Sequence, residues 1–290
     1  MSHLFCFGFG FSAQHLAQKL SQKGWVISAT VRSKNKMKLL KLHNINLQLF
    51  DGSNPLEELS DLQNSTHVLL SVPPGENGDP VYNLHHNEIS TIKGLKWIGY
   101  LSSTGVYGDT KGEIVDESAP LLAKTKQGLR RVNSERLWTI LSVKQKLPMH
   151  IFRLAGIYGP GRSAIDKVHN GTARLIIKNG HLFSRVHVDD IVAVLEASMQ
   201  KPRPGAIYNI CDEEPAMGSD VVKYAAQLMN VQPPPSIPFD DGSVSSMVRS
   251  FYSEFRRVDN SLVKSELGLS FIYPNYREGL SAILAKNSNS

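Results

Sequence analysis

The opening of the chain leaves little conformational choice. Leu4-Phe5-Cys6-Phe7 is a continuous apolar run that leads into Gly8-Phe9-Gly10-Phe11-Ser12-Ala13, a G-x-G-x-x-A turn, and then into an amphipathic stretch. An apolar run without alternation reads as a parallel strand buried on both faces. Gly8 lets the backbone turn sharply. Gly10 lacks the Cβ that would hold a pyrophosphate away from the main chain, and Ala13 lets the helix lie close on the sheet. The helix entered at Phe11 and Ser12 offers free N–H groups and the positive end of its dipole to a phosphate. The expected element is the strand–turn–helix of a dinucleotide site held by Gly8, Gly10, Phe11, Ser12 and Ala13. The competing reading is a tight turn that binds nothing.

The second strand, Trp25 to Val31, sets the expected cofactor. A site selective for NAD places an acid about twenty residues after the glycines, on the ribose 2′-hydroxyl. Here the residues are Thr30-Val31-Arg32-Ser33-Lys34, and no acid follows until Asp51. Arg32 can pair with a 2′-phosphate and stack on adenine, and Ser33 can add a hydroxyl. The reading is NADP, with NAD as the second choice. Asp51 closes a third strand, Ile45 to Phe50, where it can reach the adenine amino group or cap the next helix. A fourth strand starts at His67 and ends at Ser71-Val72-Pro73-Pro74, residues expected to flank the cofactor if the sheet is doubly wound. Gly75 to Asp79 reads as a flexible loop.

Composition narrows the class. With 290 residues, 41% apolar and 20% charged, the chain suits one large domain or a domain plus a smaller lobe. No run of about 18 apolar residues is present, so no membrane span is expected. A strand beginning at Leu4 argues against an N-terminal targeting peptide. Two cysteines, Cys6 and Cys211, read as reduced buried thiols of a cytoplasmic protein. The net charge of +6 is concentrated in Arg32, Lys34, Lys36, Lys38 and Lys41, a local cluster without a nucleic-acid motif, so no nucleic-acid partner is expected. The adjacent histidines His85 and His86 point to different helix faces, and no metal site is read from them.

A fifth strand, Trp97 to Thr104, ends in hydroxyls and is followed by Gly105-Val106-Tyr107-Gly108. Further on stand Val115-Asp116-Glu117, then Arg153-Leu154-Ala155-Gly156-Ile157-Tyr158-Gly159-Pro160-Gly161. Val186-His187-Val188-Asp189-Asp190 and Tyr208-Asn209-Ile210 complete the series. In this order, from Leu4 to about Leu284, the chain resembles the extended short-chain dehydrogenase/reductase family, the nucleotide-sugar epimerases and dehydratases. The resemblance implies an α/β Rossmann fold: a doubly wound parallel sheet with a small C-terminal substrate lobe. Residues 1–158, completed by about 184–212, would bind NAD(P); 159–183 and 213–290 would form the lobe. Arg162 and Arg174 fall where the family holds its substrate, Arg256-Arg257 open a stretch that normally rests near it, and His187 belongs to a segment that caps a helix. Family members often pair through the helices after the fourth and fifth strands, so a homodimer is the assembly the resemblance allows.

The resemblance also exposes a departure. The family uses a serine after the fifth strand, matched by Ser103, and a Tyr-x-x-x-Lys dyad on the next helix. Glu135 marks that helix by its spacing and puts Gln127 where tyrosine belongs and Arg131 where lysine belongs. Glutamine has no ionisable proton; arginine can still donate to a ribose. Tyr107 is the nearby tyrosine that could substitute as the acid. The pattern is similar to a subgroup of bacterial epimerase/dehydratase-like NAD(P)-binding proteins. The expected catalytic set is Ser103, Tyr107 and Arg131, acting on a phosphorylated or nucleotide-linked small molecule. The alternative is a protein that senses NADP(H) on the same fold without turnover. Pro148 is expected to break the long helix, Lys178-Asn179-Gly180 to form a hairpin-like turn, and 233–246 to form a mobile loop. The last helix is expected at Tyr276 to Ala285, with a frayed tail from Lys286.

Overall fold

The computed structural model describes residues 1–40 and 45–288; Lys41 of the basic cluster and the last two residues of the tail lie outside them. The chain forms two compact units. The first comprises Met1–Val106, Ala123–Arg153 and Val192–Tyr208. Its sheet is built from β1 (His3–Phe7), β2 (Val26–Val31), β3 (Ile45–Leu49), β4 (His67–Leu70) and β5 (Trp97–Ser103), followed by Met149–Leu154 and Ile207–Ile210. The spatial order is β3-β2-β1-β4-β5, then Met149–Leu154, then Ile207–Ile210. This is the expected doubly wound parallel sheet. β1 lies between β2 and β4, with Phe5 opposite Ser28 on one side and Val68 on the other. The strand order reverses there, and the C-terminal end of β1 opens at that reversal.

Every residue of β1 and β4 is buried, which is why both read as unbroken apolar runs. Helix α1 (Phe11–Ser21) turns Ala13, Leu16, Ala17 and Leu20 inward. Helix α2 (Lys34–Leu39) is short and buries nothing, as its lysines require. Helix α3 (Ser60–Gln63) is a single turn. Helix α4 (Pro80–Ser90) is started by Asp79, whose carboxylate accepts from the amides of Val81 and Tyr82, with Pro80 in the first turn. The glycines at 75 and 78 close a turn through two backbone bonds, so the segment before α4 is a closed turn and not an open loop. Helix α5 (Lys126–Gln145) is capped by Thr125 and ends at Lys146 in the left-handed conformation, φ 54°. The helix therefore stops three residues before Pro148, and the next strand starts just after it at Met149. Gly99 is dictated by packing: a Cβ there would lie 2.0 Å from the Trp97 ring.

The second unit comprises Tyr107–Leu122, Leu154–Ile191 and Asn209–Ser290, so residues 107–122 group with it. It is assembled from two-stranded pairs. Gly156–Tyr158 runs parallel to Arg185–His187, Leu175–Ile177 parallel to Ser236–Pro238, and Ile114–Val115 parallel to Arg257–Val258. Leu182–Phe183 pairs antiparallel with Ala216–Met217. Its core packs Tyr158, Ile165, Val221, Ala225, Leu280 and Ile283.

Three sequence readings are corrected in this unit, and a fourth, that the His187 segment caps a helix, holds. The Lys178–Gly180 turn does not close a hairpin, because the strands on either side take other partners. The stretch read as a mobile loop contains the Ser236–Pro238 strand and leads into a helix at Ser246–Phe251. The final helix runs Tyr276–Ser288, and Lys286 within it bonds to Asp189 at 3.4 Å rather than fraying. The helix Val188–Gln200 has Nδ1 of His187 accepting from the Asp189 amide. Asp190 caps a different segment: its carboxylate accepts from the amides of Ile272 and Tyr273.

Candidate cofactor site

The glycine turn is held from both sides. Gly8 has φ 86°, its N–H donates to Thr30 Oγ1 at 2.8 Å, and its carbonyl accepts from Ser71 Oγ at 2.6 Å. A Cβ on Gly8 would stand 3.0 Å from Ser71 Oγ and 3.0 Å from Val72 Cγ2, so the residue is fixed by conformation and by space. Gly10 differs. It is the N-cap of α1 with extended backbone, and nothing lies within 4 Å of where its Cβ would be. The space above Gly10 is what a bulky group approaching the main chain needs. Helix α1 has no acidic residue in its first turn and no side-chain cap, so the positive end of its dipole faces the glycine turn unneutralised and suits an anion. Ala13 is 1% exposed against the sheet.

The residues expected at the adenosine end have different local roles. Arg32 is exposed directly after β2. Ser33 is the N-cap of α2, its oxygen accepting from the Lys36 amide at 3.2 Å, which leaves its O–H to donate. Asp51 caps no helix; its Oδ1 accepts from the Ser53 amide at 2.8 Å in a local turn. Ser71, Val72 and Pro73 follow β4, and Ser71 binds the glycine turn as described.

At the end of β5, Ser103 accepts from the Gly105 amide at 3.1 Å, so its proton is the free donor. Gln127 is exposed in the first turn of α5. Arg131 is half-buried one turn on. Its Nη1 donates to the Leu101 carbonyl at 2.6 Å and to the Tyr100 hydroxyl at 3.2 Å. This pairing of arginine and tyrosine does not rebuild the missing dyad: Tyr100 is fully buried, and burial pushes its hydroxyl up to about 12 despite the charge of Arg131. Behind it, burial also raises Asp79, which caps α4 and accepts from Trp138 Nε1 at 3.0 Å.

A buried group that sequence reading used only as a landmark stands next to Ser103. Glu135 accepts from Ser102 Oγ at 2.5 Å and pairs with Arg153 Nη2 at 2.8 Å, both charged side chains being 4% exposed. The three belong to β5, α5 and the strand Met149–Leu154. They tie the C-terminal end of β5 to its neighbours and so hold the backbone that carries Ser103.

Tyr107, the candidate acid, is enclosed in this arrangement. It is 1% exposed, and its hydroxyl donates to Asn209 Oδ1 at 2.7 Å. The Asn209 amide in turn donates to Glu117 Oε1 at 2.7 Å, a carboxylate raised by burial. Tyr107→Phe strands the Asn209 oxygen and should cost about 1–3 kcal/mol in urea unfolding while leaving cofactor affinity unchanged. Elsewhere in the second unit Arg162 and Arg174 are exposed, and Arg256 donates to the Gly108 carbonyl and pairs with Glu254 at 2.6 Å. Lys178, Asn179, Ser236, Phe239 and Asp240 line an open hollow of about 400 Å³. The Lys178 ammonium lies 4.6 Å above the Phe239 ring and donates to the Tyr252 carbonyl. Among the described residues no three His, Cys, Asp or Glu side chains group as metal ligands, and no helix is long and apolar enough to cross a membrane.

The model of the NAD dependent epimerase/dehydratase family matches residues 8–211, from Gly8 of the cradle to Cys211, just past the last sheet strand. The chain belongs to that family. A solved structure of a conserved protein of unknown function from Silicibacter pomeroyi DSS is 43% identical, covers 99% of both chains and superposes with a TM-score of 0.89. Protein YeeZ of Escherichia coli K12 is 27% identical over 282 residues, 92% of this chain and 95% of that one. At 15% identity, the dTDP-glucose 4,6-dehydratase of Bacillus anthracis, solved with NAD, shares the fold over 100% of this chain and 97% of its own, with a TM-score of 0.80. A protein of the same fold solved with NAD makes the fit of the cradle a direct question. An unhindered Gly10 and a helix start with neither an acid nor a side-chain cap suit a pyrophosphate, so the residues present fit the group.

Proposed function

We propose that the protein binds NADP(H) and acts as an oxidoreductase or epimerase-like enzyme on a phosphorylated or nucleotide-linked metabolite. The observation that carries this reading is the cradle around Gly8 and Gly10, in which one glycine has no room for a side chain and the other has only open space. Gly8, Gly10, Phe11, Ser12 and Ala13 hold the pyrophosphate, and Ser71, Val72 and Pro73 flank the cofactor. Arg32 and Ser33 take the 2′-phosphate end. Asp51 is left with the adenine edge. Arg131 anchors the nicotinamide ribose through the guanidinium nitrogens it does not spend on Leu101 and Tyr100. Bound there, the cofactor supplies hydride transfer. Ser103, held by the Gly105 amide, offers its proton to a substrate oxygen.

A second reading, NADP(H) sensing without turnover, is favoured by a specific observation. Gln127 stands exposed in the tyrosine position, Tyr100 is buried, and the Tyr107 hydroxyl is committed to Asn209. NADPH oxidation tested across carbonyl compounds separates the two: turnover that Ser103→Ala abolishes supports the enzyme, and a protein that binds NADPH but oxidises it with none of them supports the sensor.

The cofactor is tested first, by titration calorimetry with NADPH and NADH. Tighter binding of NADPH is expected. A charge-assisted contact of about 1.5–3 kcal/mol predicts that Arg32→Glu weakens NADPH at least roughly tenfold and leaves NADH nearly unchanged. Unchanged NADPH affinity in the variant overturns the assignment of Arg32. Binding of neither dinucleotide by the wild type overturns the function.

A further inference from the structure

The second unit contains a carboxyl group that neither its packing nor the cofactor reading uses. Asp212 follows the last sheet strand, is 3% exposed, and has no hydrogen-bond partner on either carboxyl oxygen. An ionised carboxylate in that setting is expensive. Arg185 is the compensating charge, but its hydrogen bonds go elsewhere. Its Nη1 donates to the carbonyls of Phe183 and Ala216, both at 2.8 Å. Those carbonyls belong to Leu182–Phe183 and Ala216–Met217, which pair over only two residues each. The guanidinium is therefore a staple on a very short ladder. The backbone binds the two residues as well, the Asp212 amide donating to the Arg185 carbonyl at 2.6 Å.

The groups around the pair are few. Tyr158, from the strand beside Arg185, is raised by burial and then by the charge of Asp212. Tyr276 and Tyr252 act on Arg185, and Asp190 acts on Tyr158. Cys211, next in the chain, is also raised by burial. Glu213 and Glu214 lie on the same segment but are paired outward with Lys264 and Arg277. Burial pushes Asp212 up to about 8; the charge of Arg185 pulls the other way and does not cancel it.

We propose that Asp212 and Arg185 form a proton-operated latch. With its proton, Asp212 leaves the guanidinium on the Phe183 and Ala216 carbonyls; having released the proton to solvent, the carboxylate draws the guanidinium off them and loosens that strand pair. Leu182 lies two residues after the Lys178–Gly180 turn, so the latch also bears on the wall of the hollow described above. The direction follows from linkage. A carboxyl held above its unfolded value binds more protons folded than unfolded, so the stability it contributes is lost as pH rises from about 4 through about 8.

The test is hydrogen exchange by mass spectrometry on the full chain, wild type and Asp212→Asn, at about pH 6 and about pH 9, corrected for intrinsic rates. In the wild type the protection of amides in 182–187 and 214–217 should fall about tenfold at the higher pH, since one unit above the midpoint leaves roughly a tenth of the carboxyls protonated. In Asp212→Asn, which keeps the uncharged form, it should not change. Equal corrected exchange at both pH values in the wild type overturns the proposal, as does the same loss in the variant. Infrared difference spectra of the wild type decide the matter if the variant does not fold: loss of a buried protonated carboxyl band as pH rises through about 8 is expected, and its absence refutes the latch.

Discussion

Gly8→Ala should unfold more readily than the wild type by about 2–5 kcal/mol and lose dinucleotide binding altogether. Two costs add. A residue with a Cβ pays about 1–2 kcal/mol in the left-handed region, and φ at Gly8 is 86°. Forcing a methyl into occupied space costs a further 1–3 kcal/mol or so, and the new Cβ would stand 3.0 Å from both Ser71 Oγ and Val72 Cγ2. Ser71 Oγ donates to the Gly8 carbonyl, so relieving the clash breaks the bond that sets the turn. Gly10→Ala is the informative contrast. Its backbone is extended and its Cβ meets nothing, so stability should change by less than about 1 kcal/mol. Cofactor affinity should still fall, because the methyl occupies the approach to the first-turn amides. Urea unfolding and NADPH titration of the two variants separate the effects. A Gly10→Ala protein that binds NADPH as the wild type does would show that the turn is architecture only.

Arg153→Met should cost about 3–5 kcal/mol, the second large effect, because it leaves Glu135 charged and buried. Glu135 and Arg153 are each 4% exposed and 2.8 Å apart, and the only other donor to the carboxylate among the described contacts is Ser102 Oγ. The double variant Glu135→Leu with Arg153→Met should recover most of the loss, since burying two apolar side chains removes the desolvation penalty along with the pair. Chemical denaturation of both single variants and the double variant closes the cycle. Additive losses would mean that the pair is not coupled. If the recovered double variant also binds NADPH normally but shows weaker turnover, the pair acts by holding the end of β5 under Ser103.

Much of this protein is written in short-range pattern. The apolar run Leu4–Phe7 can only be satisfied by burial on both faces, and Gly8, Gly10 and Ala13 meet needs of turn, access and packing within six residues. The lysine-bearing α2 was legible for the same reason, whereas the doubly wound sheet and the loss of tyrosine at Gln127 were legible only through the family resemblance. What the chain could not disclose is where long side chains end. Arg131 reads as a ribose anchor, but its Nη1 is held by Leu101, thirty residues away in sequence. Tyr107 reads as a candidate acid, but its hydroxyl meets Asn209 across 102 residues. Glu135 reads as a spacing marker, and only the packing of α5 on the sheet makes it the buried partner of Ser102 and Arg153. Asp212 carries no motif at all. Local steric and hydrogen-bonding rules determine backbone form, and these are set by neighbours in sequence; the partner and the dielectric of a buried polar group are set by whatever the fold brings against it.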